Sequence, residues 1–447
     1  MLTRNNLHQY QQDIIEKAKE LPSIGLFMPP GLGKTATTLT IIKEQCKGRT
    51  LIIAPKKVAE SVWTEEIAKW EHLKELRVST VLGNPKERVA AIQEDADIYI
   101  TNLENVVWLT ELKIPMAKFS NLVIDESSRF KDPSTKRFKA LKPFLKTFKR
   151  RIILTGTPTP QGYGDLWSQI GILDLGVRLE TSLTKFRDKY MMPIERNRHT
   201  NVVYKWGLIP NADKVIEDKI KDICFSLKAE DYLTLPSLSK VYHKIFLGMD
   251  SKLQYKKLVK EMVLEVDVET ITAPTAATLT NKLLQFTSGS LYKEDGSWVC
   301  IHDAKIDFLS DMVDENTPTL IFYHFKASLE KLRNKFPNAK LLDEIDHQDW
   351  RDGKVPILLC HPQSGGIGIN LQCNAKETAQ IVWYDLPWSS ENYIQANARI
   401  HRQGQTKPVI IHHLAIENSI DYQVIDVLEG KINIQNAVLN ALNFALV

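Results

Sequence analysis

Short apolar runs alternate with amphipathic stretches along residues 24–156, and this alternation constrains the fold more than any other feature of the sequence. The apolar runs are interpreted as strands; they are IGLFM, RTLIIAP, RVSTVLG, DIYITN, NLVIDES and RRIILTGT. Between them lie stretches such as VAESVWTEEIAKW, where Val58, Val62, Ile67 and Trp70 recur at roughly helical spacing. Strands that alternate with helices build a parallel sheet covered on both faces. The first part of the chain is therefore predicted to be an α/β lobe.

The same alternation returns later in the chain, in the runs TPTLIFYHF, VPILLCHP, AQIVWYDLP and KPVIIHHLAI. A chain of 447 residues is too long for one ordinary core, so two or three domains are expected. The segment between the two alternating regions has mostly helical patterns with mixed charges, and it is interpreted as helical insertions and a connector. We predict an N-terminal lobe over residues 1–234, with an insertion at about 160–234, and a C-terminal lobe over 235–447, with an insertion at about 250–300.

The composition is that of a globular protein, with 43% hydrophobic and 25% charged residues. The net charge is only +4, so any binding of a polyanion must come from local basic patches. The five cysteines form no C-x-x-C pair and no Cys/His metal spacing, and their odd number argues against a disulfide framework. The start MLTRNNLHQYQQD has no apolar signal core, and no run approaches a membrane span. We expect an intracellular protein, in the cytoplasm of a bacterium or of a phage-infected host.

A glycine-rich turn follows the first apolar run and leads into a helical pattern, in MPPGLGKTATTLTII. Such a turn presents backbone N–H groups to phosphate oxygens, and Gly31 and Gly33 allow a close approach of the backbone. Lys34 can reach the terminal phosphates, and the Thr35 hydroxyl can bind Mg²⁺. Together with Leu32, these residues are the predicted phosphate loop. The alternative is a tight strand-to-helix turn with an ordinary lysine at the start of the helix.

An acidic pair follows the apolar run of residues 122–124: Asp125 and then Glu126. A nucleotide-bound Mg²⁺ needs a carboxylate at a neighbouring strand end, and hydrolysis needs a group that orients the attacking water and takes up its proton. Alone, an acidic pair after a strand is as easily a solvated turn. In combination with the phosphate loop, Asp125 is predicted to hold Mg²⁺ and Glu126 to position the water of an ATP-hydrolysing site.

Many ordered motifs along nearly the whole chain resemble those of superfamily-two helicases, in particular the SWI/SNF-like branch of DNA-dependent translocases. The motifs that carry the resemblance are LHQYQQD, GLGKT, LIIAPKKVAESVWTEEIAKW, DIYITNLENV, LTGTP, SGGIGINLQ, VWYDLPWSS and QANARIHRQGQ. The resemblance implies two tandem RecA-like lobes with ATP held between them. It implies that Gln11 recognises adenine, that Gly368 lies at the nucleotide, and that Lys56 and Thr101 contact nucleic acid. The compactness of the chain resembles phage-encoded members of the branch.

The segment QANARIHRQ is predicted to be helical, which would place Gln395, Arg399 and Arg402 on one face at spacings of four and three. Arginines that reach the γ-phosphate from a second lobe act as arginine fingers, which stabilise negative charge in the transition state. The alternative is a surface helix that carries paired cations. The motif order favours the catalytic interpretation.

Three departures from the family pattern stand out. Ser127 and Ser128 replace the usual Ala or Gly and the His after the acidic pair. Ser128 is expected to donate a hydrogen bond toward the end of the LTGTP strand, so that hydrolysis is retained and its coupling altered. The phosphate loop is preceded by Met-Pro-Pro instead of an acidic residue. The segment AKLLDEIDHQDWRDGKVPILLC is shorter than usual and lacks an arginine-bearing helix, so one DNA contact there is expected to be reduced.

The segment SRFKDPSTKRFKALKPFLKTFKRR carries ten Lys/Arg and one Asp. Lys131 and Lys136 are the first candidates for phosphate contacts, which would give salt-sensitive affinity without sequence preference. A solvated helix face is the alternative. Trp388 is a candidate for base stacking, whereas Trp383 is expected to pack in the core.

We predict an ATP- and Mg²⁺-dependent DNA motor that prefers duplex or forked DNA to single strands and works as a monomer, with a protein partner left open. The activities left open are tracking along duplex DNA, strand separation and reannealing of strands; because no strand-splitting hairpin is evident in the sequence, duplex tracking or fork remodelling is favoured. Two alternatives are kept: an ATP-gated DNA clamp with negligible turnover, and the motor subunit of a larger DNA-processing complex.

Overall fold

The computed structural model describes residues 1–112, 116–160, 162–196, 203–227, 232, 235–266, 269–272, 276–314, 317–362 and 370–431. Within these ranges the chain forms two compact units. The first contains the described residues up to 232, and the second contains those from 235 onward. Each unit is built around its own parallel sheet.

The first unit contains nine strands and nine helices among its described residues. The strands are β1 (Ser23–Phe27), β2 (Thr50–Ala54), β3 (Val78–Val81), β4 (Ile98–Asn102), β5 (Asn121–Asp125), β6 (Arg150–Thr155), β7 (Met191–Arg196), β8 (Val203–Leu208) and β9 (Cys224–Ser226). The helices are α1 (Gln9–Ala18), α2 (Lys34–Gln45), α3 (Trp63–Lys69), α4 (Pro85–Gln93), α5 (Asn105–Glu111), α6 (Lys136–Leu141), α7 (Leu166–Asp174), α8 (Leu183–Tyr190) and α9 (Ala212–Ile220).

Seven of these strands form one sheet in the order β3-β4-β2-β5-β6-β1-β9, and every neighbouring pair is parallel. The six apolar runs predicted from the sequence are the strands β1 to β6. Their side chains are almost all buried because helices cover both faces, as expected for a parallel sheet. The strand β9 pairs with β1, so that β1 lies inside the sheet and not at its edge.

The second unit contains ten strands and seven helices among its described residues. The strands are β10 (Leu238–Ile245), β11 (Val263–Val266), β12 (Glu269–Thr272), β13 (Ser290–Tyr292), β14 (Trp298–Cys300), β15 (Thr319–Phe322), β16 (Lys340–Leu341), β17 (Ile357–Cys360), β18 (Ala379–Trp383) and β19 (Val409–Ile416). The helices are α10 (Met249–Glu261), α11 (Ala276–Thr287), α12 (Ala304–Met312), α13 (Lys326–Lys335), α14 (His347–Arg351), α15 (Ser390–Asn397) and α16 (Ile420–Leu428).

Six strands of the second unit form a parallel sheet in the order β10-β19-β18-β15-β17-β16. The four apolar runs predicted for this lobe are β15, β17, β18 and β19. Trp383 at the end of β18 is fully buried, stacks on Phe322 and donates its indole N–H to Asn397, so its predicted core position is confirmed. The prediction of two α/β lobes with parallel sheets is confirmed.

The region between the two alternating patterns is less helical than the sequence suggests. It contains the antiparallel hairpins β7–β8, β11–β12 and β13–β14 in addition to its helices. Their strands are three to six residues long, which is too short for periodicity to separate a strand from a helical turn. The hairpin β7–β8 was not evident in the sequence, and whether it can split strands stays untested, so the preference for duplex tracking over strand separation remains a prediction.

No helix among the described residues has the length and apolar character needed to cross a membrane. The described residues likewise contain no group of three or more His, Cys, Asp or Glu side chains arranged to hold a metal ion.

Lys305→Met is expected to destabilise the second unit by about 3–5 kcal/mol, because it leaves a buried carboxylate without its cation. Lys305 Nζ lies 2.8 Å from an Asp421 carboxylate oxygen, and both side chains are only 1% exposed. The pair ties α12 to α16. The measurement is the free energy of unfolding in urea. The exposed pair of Lys354 and Asp349 is the control, since Lys354→Met should cost less than about 1 kcal/mol. Equal effects of the two substitutions would contradict the expectation.

Candidate nucleotide site at the end of the first sheet

Three loops meet at the carboxyl edge of the first sheet, after β1, β5 and β6. These strands are neighbours in the order β5-β6-β1 and run parallel, so the segments that follow them emerge side by side. The Met28 amide donates to the Thr155 carbonyl at 3.0 Å. A Cβ at Gly156 would lie 3.1 Å from the Pro30 ring. The phosphate loop and the LTGTP turn are therefore in direct contact. The carboxyl ends of parallel strands are the usual ligand site of such folds.

The phosphate loop has the predicted strand–loop–helix context, between β1 and α2. Gly31 and Gly33 have φ angles of +93° and +67°, a region that favours glycine. Gly33 precedes Lys34, the first residue of the twelve-residue helix α2, and Leu32 is fully buried beneath the turn. The Lys34 ammonium donates to the Met28 carbonyl at 2.7 Å, so it folds back across its own loop. Thr35, the next helical residue, is half-buried. The N-terminus of a helix and a lysine thus lie at the same small region, which suits an anionic phosphate.

Gln11 lies on α1 with its side chain buried against the phosphate loop. Its Nε2 donates to the Gly33 carbonyl at 3.3 Å and to the Thr37 hydroxyl at 3.1 Å. Its Oε1 accepts from the His8 amide at 2.9 Å. Through these hydrogen bonds the Gln11 side chain holds the end of the phosphate loop and the first turn of α2. Its predicted role in adenine recognition remains a prediction.

The acidic pair is buried at the end of β5. Burial raises the pKa of Asp125 above its ordinary value, and the positive charge of Lys34 and a hydrogen bond from the Glu126 amide oppose the rise. Glu126 has φ +54° and ψ +56°, the left-handed region that side chains other than glycine rarely adopt. Such strain costs on the order of 1–3 kcal/mol and is found most often at functional sites. A solvated turn, the alternative interpretation, would not bury both carboxyl groups.

Asp125→Asn is expected to raise the thermal midpoint of the nucleotide-free protein by a few degrees, because it removes a buried charge. The sign follows from the raised pKa: the folded state disfavours the charged carboxylate, so Asp125 costs stability at neutral pH. The gain should stay constant above the raised pKa and should shrink as the pH falls through that pKa toward the ordinary value of the carboxyl, because the folded wild type takes up a proton in this range.

The control for this stability measurement is Asp132→Asn. The pKa of Asp132 is lowered by hydrogen bonds from Ser134, so its charged form is favoured in the folded state. Asp132→Asn should therefore leave the thermal midpoint unchanged or lower it. A lower midpoint for Asp125→Asn than for wild type across the neutral range would contradict the expectation. Scanning calorimetry without nucleotide makes the comparison.

The two serines after the acidic pair are both buried in a 3₁₀ turn, Ser127–Phe130. The Ser127 side chain makes a hydrogen bond that leads toward the LTGTP segment. Its hydroxyl donates to Gln169 Oε1 at 2.8 Å, and Gln169 Nε2 donates to the Pro158 carbonyl at 2.7 Å. The expected hydrogen bond from Ser128 toward the end of the LTGTP strand stays a prediction. Gln169 had no signal in the sequence, because it lies inside an apolar helix with no motif of its own.

The arginine motif in the second unit departs from the predicted single helix. The helix α15 ends at Asn397, and Arg399 and Arg402 lie in the turns that follow. The chain leaves the helix because the Arg399 carbonyl accepts from the Leu371 amide. Gln395 remains on α15, half-buried, with its Nε2 3.4 Å from a Glu391 oxygen. The prediction that all three side chains share one helical face is wrong.

The two arginines have different surroundings. The Arg399 guanidinium is buried within the second unit, where it donates to the Pro362 carbonyl at 2.9 Å and to Cys360 Sγ at 3.2 Å. Burial lowers its pKa below the ordinary value. Arg402 is half-buried. The predicted nucleotide residue Gly368 lies outside the described residues.

The predicted nucleic-acid contacts fall into two groups. Lys56 and Lys136 have exposed side chains, and Lys136 is the first residue of α6. The Lys131 ammonium is less exposed and lies 3.9 Å from Asp165. Thr101 is fully buried and donates its hydroxyl to the Val81 carbonyl at 3.1 Å, so its side chain is used inside the first unit, and its predicted contact with nucleic acid stays a prediction.

Trp388 is half-buried and packs against the main core of the second unit, close to the end of β18. One face of the side chain is thus used for packing. Base stacking by Trp388 remains a prediction.

A phosphate loop after β1, a buried acidic pair at the end of β5 and a second parallel α/β unit define a P-loop ATPase of the two-lobed type. Residues 20–288 of the chain match the family described as SNF2-related domain. The match covers more than half of the chain, and the chain belongs to this family. It is a DNA-dependent ATPase of helicase superfamily two.

The chain is also similar to individual proteins and to a solved structure. The chain is 33% identical to protein p41 of Acyrthosiphon pisum secondary endosymbiont phage 1, over 97% of this chain and 98% of that protein. It is 24% identical to the ISWI chromatin-remodelling complex ATPase ISW1 of Saccharomyces cerevisiae, over 92% of this chain but only 38% of ISW1. Among solved structures, the SWI2/SNF2 ATPase core of Sulfolobus solfataricus in complex with dsDNA has 24% identity and a TM-score of 0.44, over 95% of this chain and 91% of that one.

Proposed function

We propose that the protein is an ATP-driven motor that moves along duplex or forked DNA. The observation that carries the proposal is the convergence of the phosphate loop, the acidic pair and the LTGTP turn at one sheet edge, in a chain of the SNF2-related family. Chromatin-remodelling ATPases are among its relatives, and its length matches that of a phage protein. The proposed setting is therefore DNA inside a phage-infected bacterial cell.

The residues at the site fit a nucleotide-bound Mg²⁺. A hydroxyl and a carboxylate, from Thr35 and Asp125, are the oxygen donors that Mg²⁺ prefers, and the ion usually keeps several waters and phosphate oxygens as its other ligands. The Lys34 cation stabilises the buried charge of Asp125, but burial has the larger effect and the pKa of Asp125 remains raised. A divalent cation beside it would reverse that imbalance. When bound, Mg²⁺ neutralises charge that develops on the phosphates during hydrolysis.

The protein groups would divide the remaining work. Lys34, released from the Met28 carbonyl, would bind the β- and γ-phosphates, and the amides at the start of α2 would hold the other phosphate oxygens. Glu126 would orient the attacking water and accept its proton. We assign the role of arginine finger to Arg402, whose side chain is partly exposed, whereas the Arg399 guanidinium is buried and hydrogen-bonded inside its own unit.

The candidate DNA contacts lie directly after the acidic pair in the chain. Lys131 and Lys136 come within ten residues of Glu126, and the segment around them is strongly basic. Contacts of this kind with phosphates give affinity without sequence preference. A DNA contact so close to the hydrolytic residues provides a short route from track binding to catalysis.

The test is steady-state ATP hydrolysis without DNA and with single-stranded, duplex and forked DNA. The proposal expects stimulation by duplex or fork well above that by single strands, and falling stimulation with rising salt. Displacement of a third strand from a triplex would report movement along the duplex. Hydrolysis that no DNA stimulates would contradict the motor.

Strand separation is the second candidate, and the β7–β8 hairpin is the observation in its favour. An antiparallel hairpin that projects from a motor can split a duplex mechanically. Release of a labelled strand from the forked substrate would indicate this activity. Hydrolysis and triplex displacement without strand release would leave duplex tracking as the activity.

A further inference from the structure

We propose that Gln169 is a positioning residue that couples DNA binding to ATP hydrolysis, by joining the turn after Glu126 to the LTGTP turn. The inference rests on the proposed function. It concerns a residue to which the motifs of the sequence assign no role, in the middle of helix α7. Gln169 is fully buried.

The Gln169 amide uses both of its ends, and they point to different segments. Its oxygen accepts from the Ser127 hydroxyl, one residue after Glu126, at 2.8 Å. Its nitrogen donates to the Pro158 carbonyl at 2.7 Å and to the Asp165 carbonyl at 2.8 Å. A buried amide that donates through its nitrogen and accepts through its oxygen has one preferred orientation, because rotation would leave these groups unpaired in the core. A displacement of the turn after Glu126 therefore disturbs the hydrogen bonds of the LTGTP turn, and the reverse also holds.

The candidate DNA contact Lys131 is also linked to helix α7 and to the turn before it. The Ser168 hydroxyl donates to the Lys131 carbonyl at 2.6 Å, and the Lys131 ammonium lies 3.9 Å from Asp165, in the turn just before α7. When a DNA phosphate draws the ammonium of Lys131 away from Asp165, the start of α7 loses one of its tethers. Gln169 is anchored to the carbonyl of that same Asp165. The resulting path runs from Lys131 through α7 to the backbone beside Glu126.

The backbone conformation at Glu126 depends on its neighbours, so a change that reaches this turn can alter the position of the Glu126 side chain. Glu126 is held in a left-handed conformation, which persists only when its neighbours enforce it. The Ser127 side chain lies on the buried side of that strained turn, and Gln169 is its hydrogen-bond partner. Without this bond, a change in α7 caused by DNA binding would no longer reach the turn that positions the Glu126 carboxylate for the attacking water.

The experiment measures the stimulation factor, which is kcat with saturating duplex DNA divided by kcat without DNA. Gln169→Leu removes all three hydrogen bonds at nearly constant volume, and Ser127→Ala removes one. We expect the stimulation factor to fall about tenfold in each, a typical magnitude for coupling between two sites. The double variant Ser127→Ala/Gln169→Leu should show about the same loss as Gln169→Leu alone, because both substitutions break one path.

Two further variants separate coupling from stability. Gln169→Glu keeps the acceptor for Ser127 and loses the donor to Pro158, so it should lower the factor even if Gln169→Leu fails to fold. Trp167→Phe on the same helix removes a hydrogen bond to the Glu180 carbonyl without touching either turn, and should lower the thermal midpoint while keeping the factor.

A purely structural role for Gln169 would lower activity equally with and without DNA. An unchanged factor in the folded variants, with stimulated wild type, would overturn this inference alone. Wild type that no DNA stimulates would overturn the proposed function, and this inference with it.

Discussion

Replacing Glu126 with glutamine is expected to lower the DNA-stimulated kcat for ATP hydrolysis by about 10²- to 10⁴-fold, the usual contribution of a positioned general base. Glutamine has nearly the same shape and makes the same demand on the left-handed backbone, so the turn should survive the change. What is lost is the carboxylate that accepts a proton from the attacking water. Steady-state hydrolysis on duplex DNA, with and without the substitution, makes the measurement.

The loss of kcat can be assigned to the chemical step only if the variant still binds ATP. The dissociation constant of a fluorescent ATP analogue should stay within about threefold of wild type, since lost proton transfer acts on kcat and not on ground-state binding. Glu111→Gln, at an exposed position at the end of α5, is the matched control and should leave kcat unchanged. If Glu126→Gln kept full DNA-dependent function, the ATP-gated clamp would replace the motor.

The second large effect concerns the two arginines, whose alanine variants should lose different properties. Arg402→Ala is expected to lower kcat by about 10³-fold or more while the thermal midpoint stays close to wild type, because an arginine finger acts only on transition-state charge. Arg399→Ala is expected to lower stability first, because it removes a buried guanidinium from Cys360 Sγ and the Pro362 carbonyl and leaves a cavity. Hydrolysis rates and thermal midpoints, measured on both variants, separate these two outcomes.

Lysine substitutions sharpen this comparison. Arg402→Lys keeps the charge but loses the planar, bidentate group, so it should recover only a small part of the rate. Arg399→Lys should recover little stability, because an ammonium cannot reproduce both hydrogen bonds of the guanidinium. A large rate loss at full stability in Arg399→Ala, with an active Arg402→Ala, would reverse the assignment of the two roles.

The strands could be predicted because each is a short, continuous apolar run. Such a run is the sequence signal of a parallel strand that is buried on both faces. The residues of the nucleotide site followed from the same rule. Asp125 and Glu126 come directly after one strand and the phosphate loop after another, and parallel strands bring their carboxyl ends together. Here the position of a residue in the sequence determined its position in the fold.

Features that depend on long-range contacts could not be predicted in this way. Gln169 matters because Pro158 and Ser127 lie beside it, and neither neighbour is visible from the local pattern around it. The arginine segment is helical by propensity, but the Leu371 amide takes the Arg399 carbonyl and ends the helix early. Thr101 occupies the expected strand end, yet its hydroxyl points inward, because a neighbouring carbonyl offers it a partner.

The pairing of β9 with β1 sets a lower limit on any fragment of this chain intended to hold the phosphate loop. Gly25, Leu26 and Phe27 lie opposite residues 224–226, and the Leu227 amide donates to the Phe27 carbonyl. A fragment that stops after β6 or α8 would turn the strand that carries the loop into an unprotected edge, open to pairing with other chains. The shortest recombinant piece suited to nucleotide-binding studies therefore extends through Leu227.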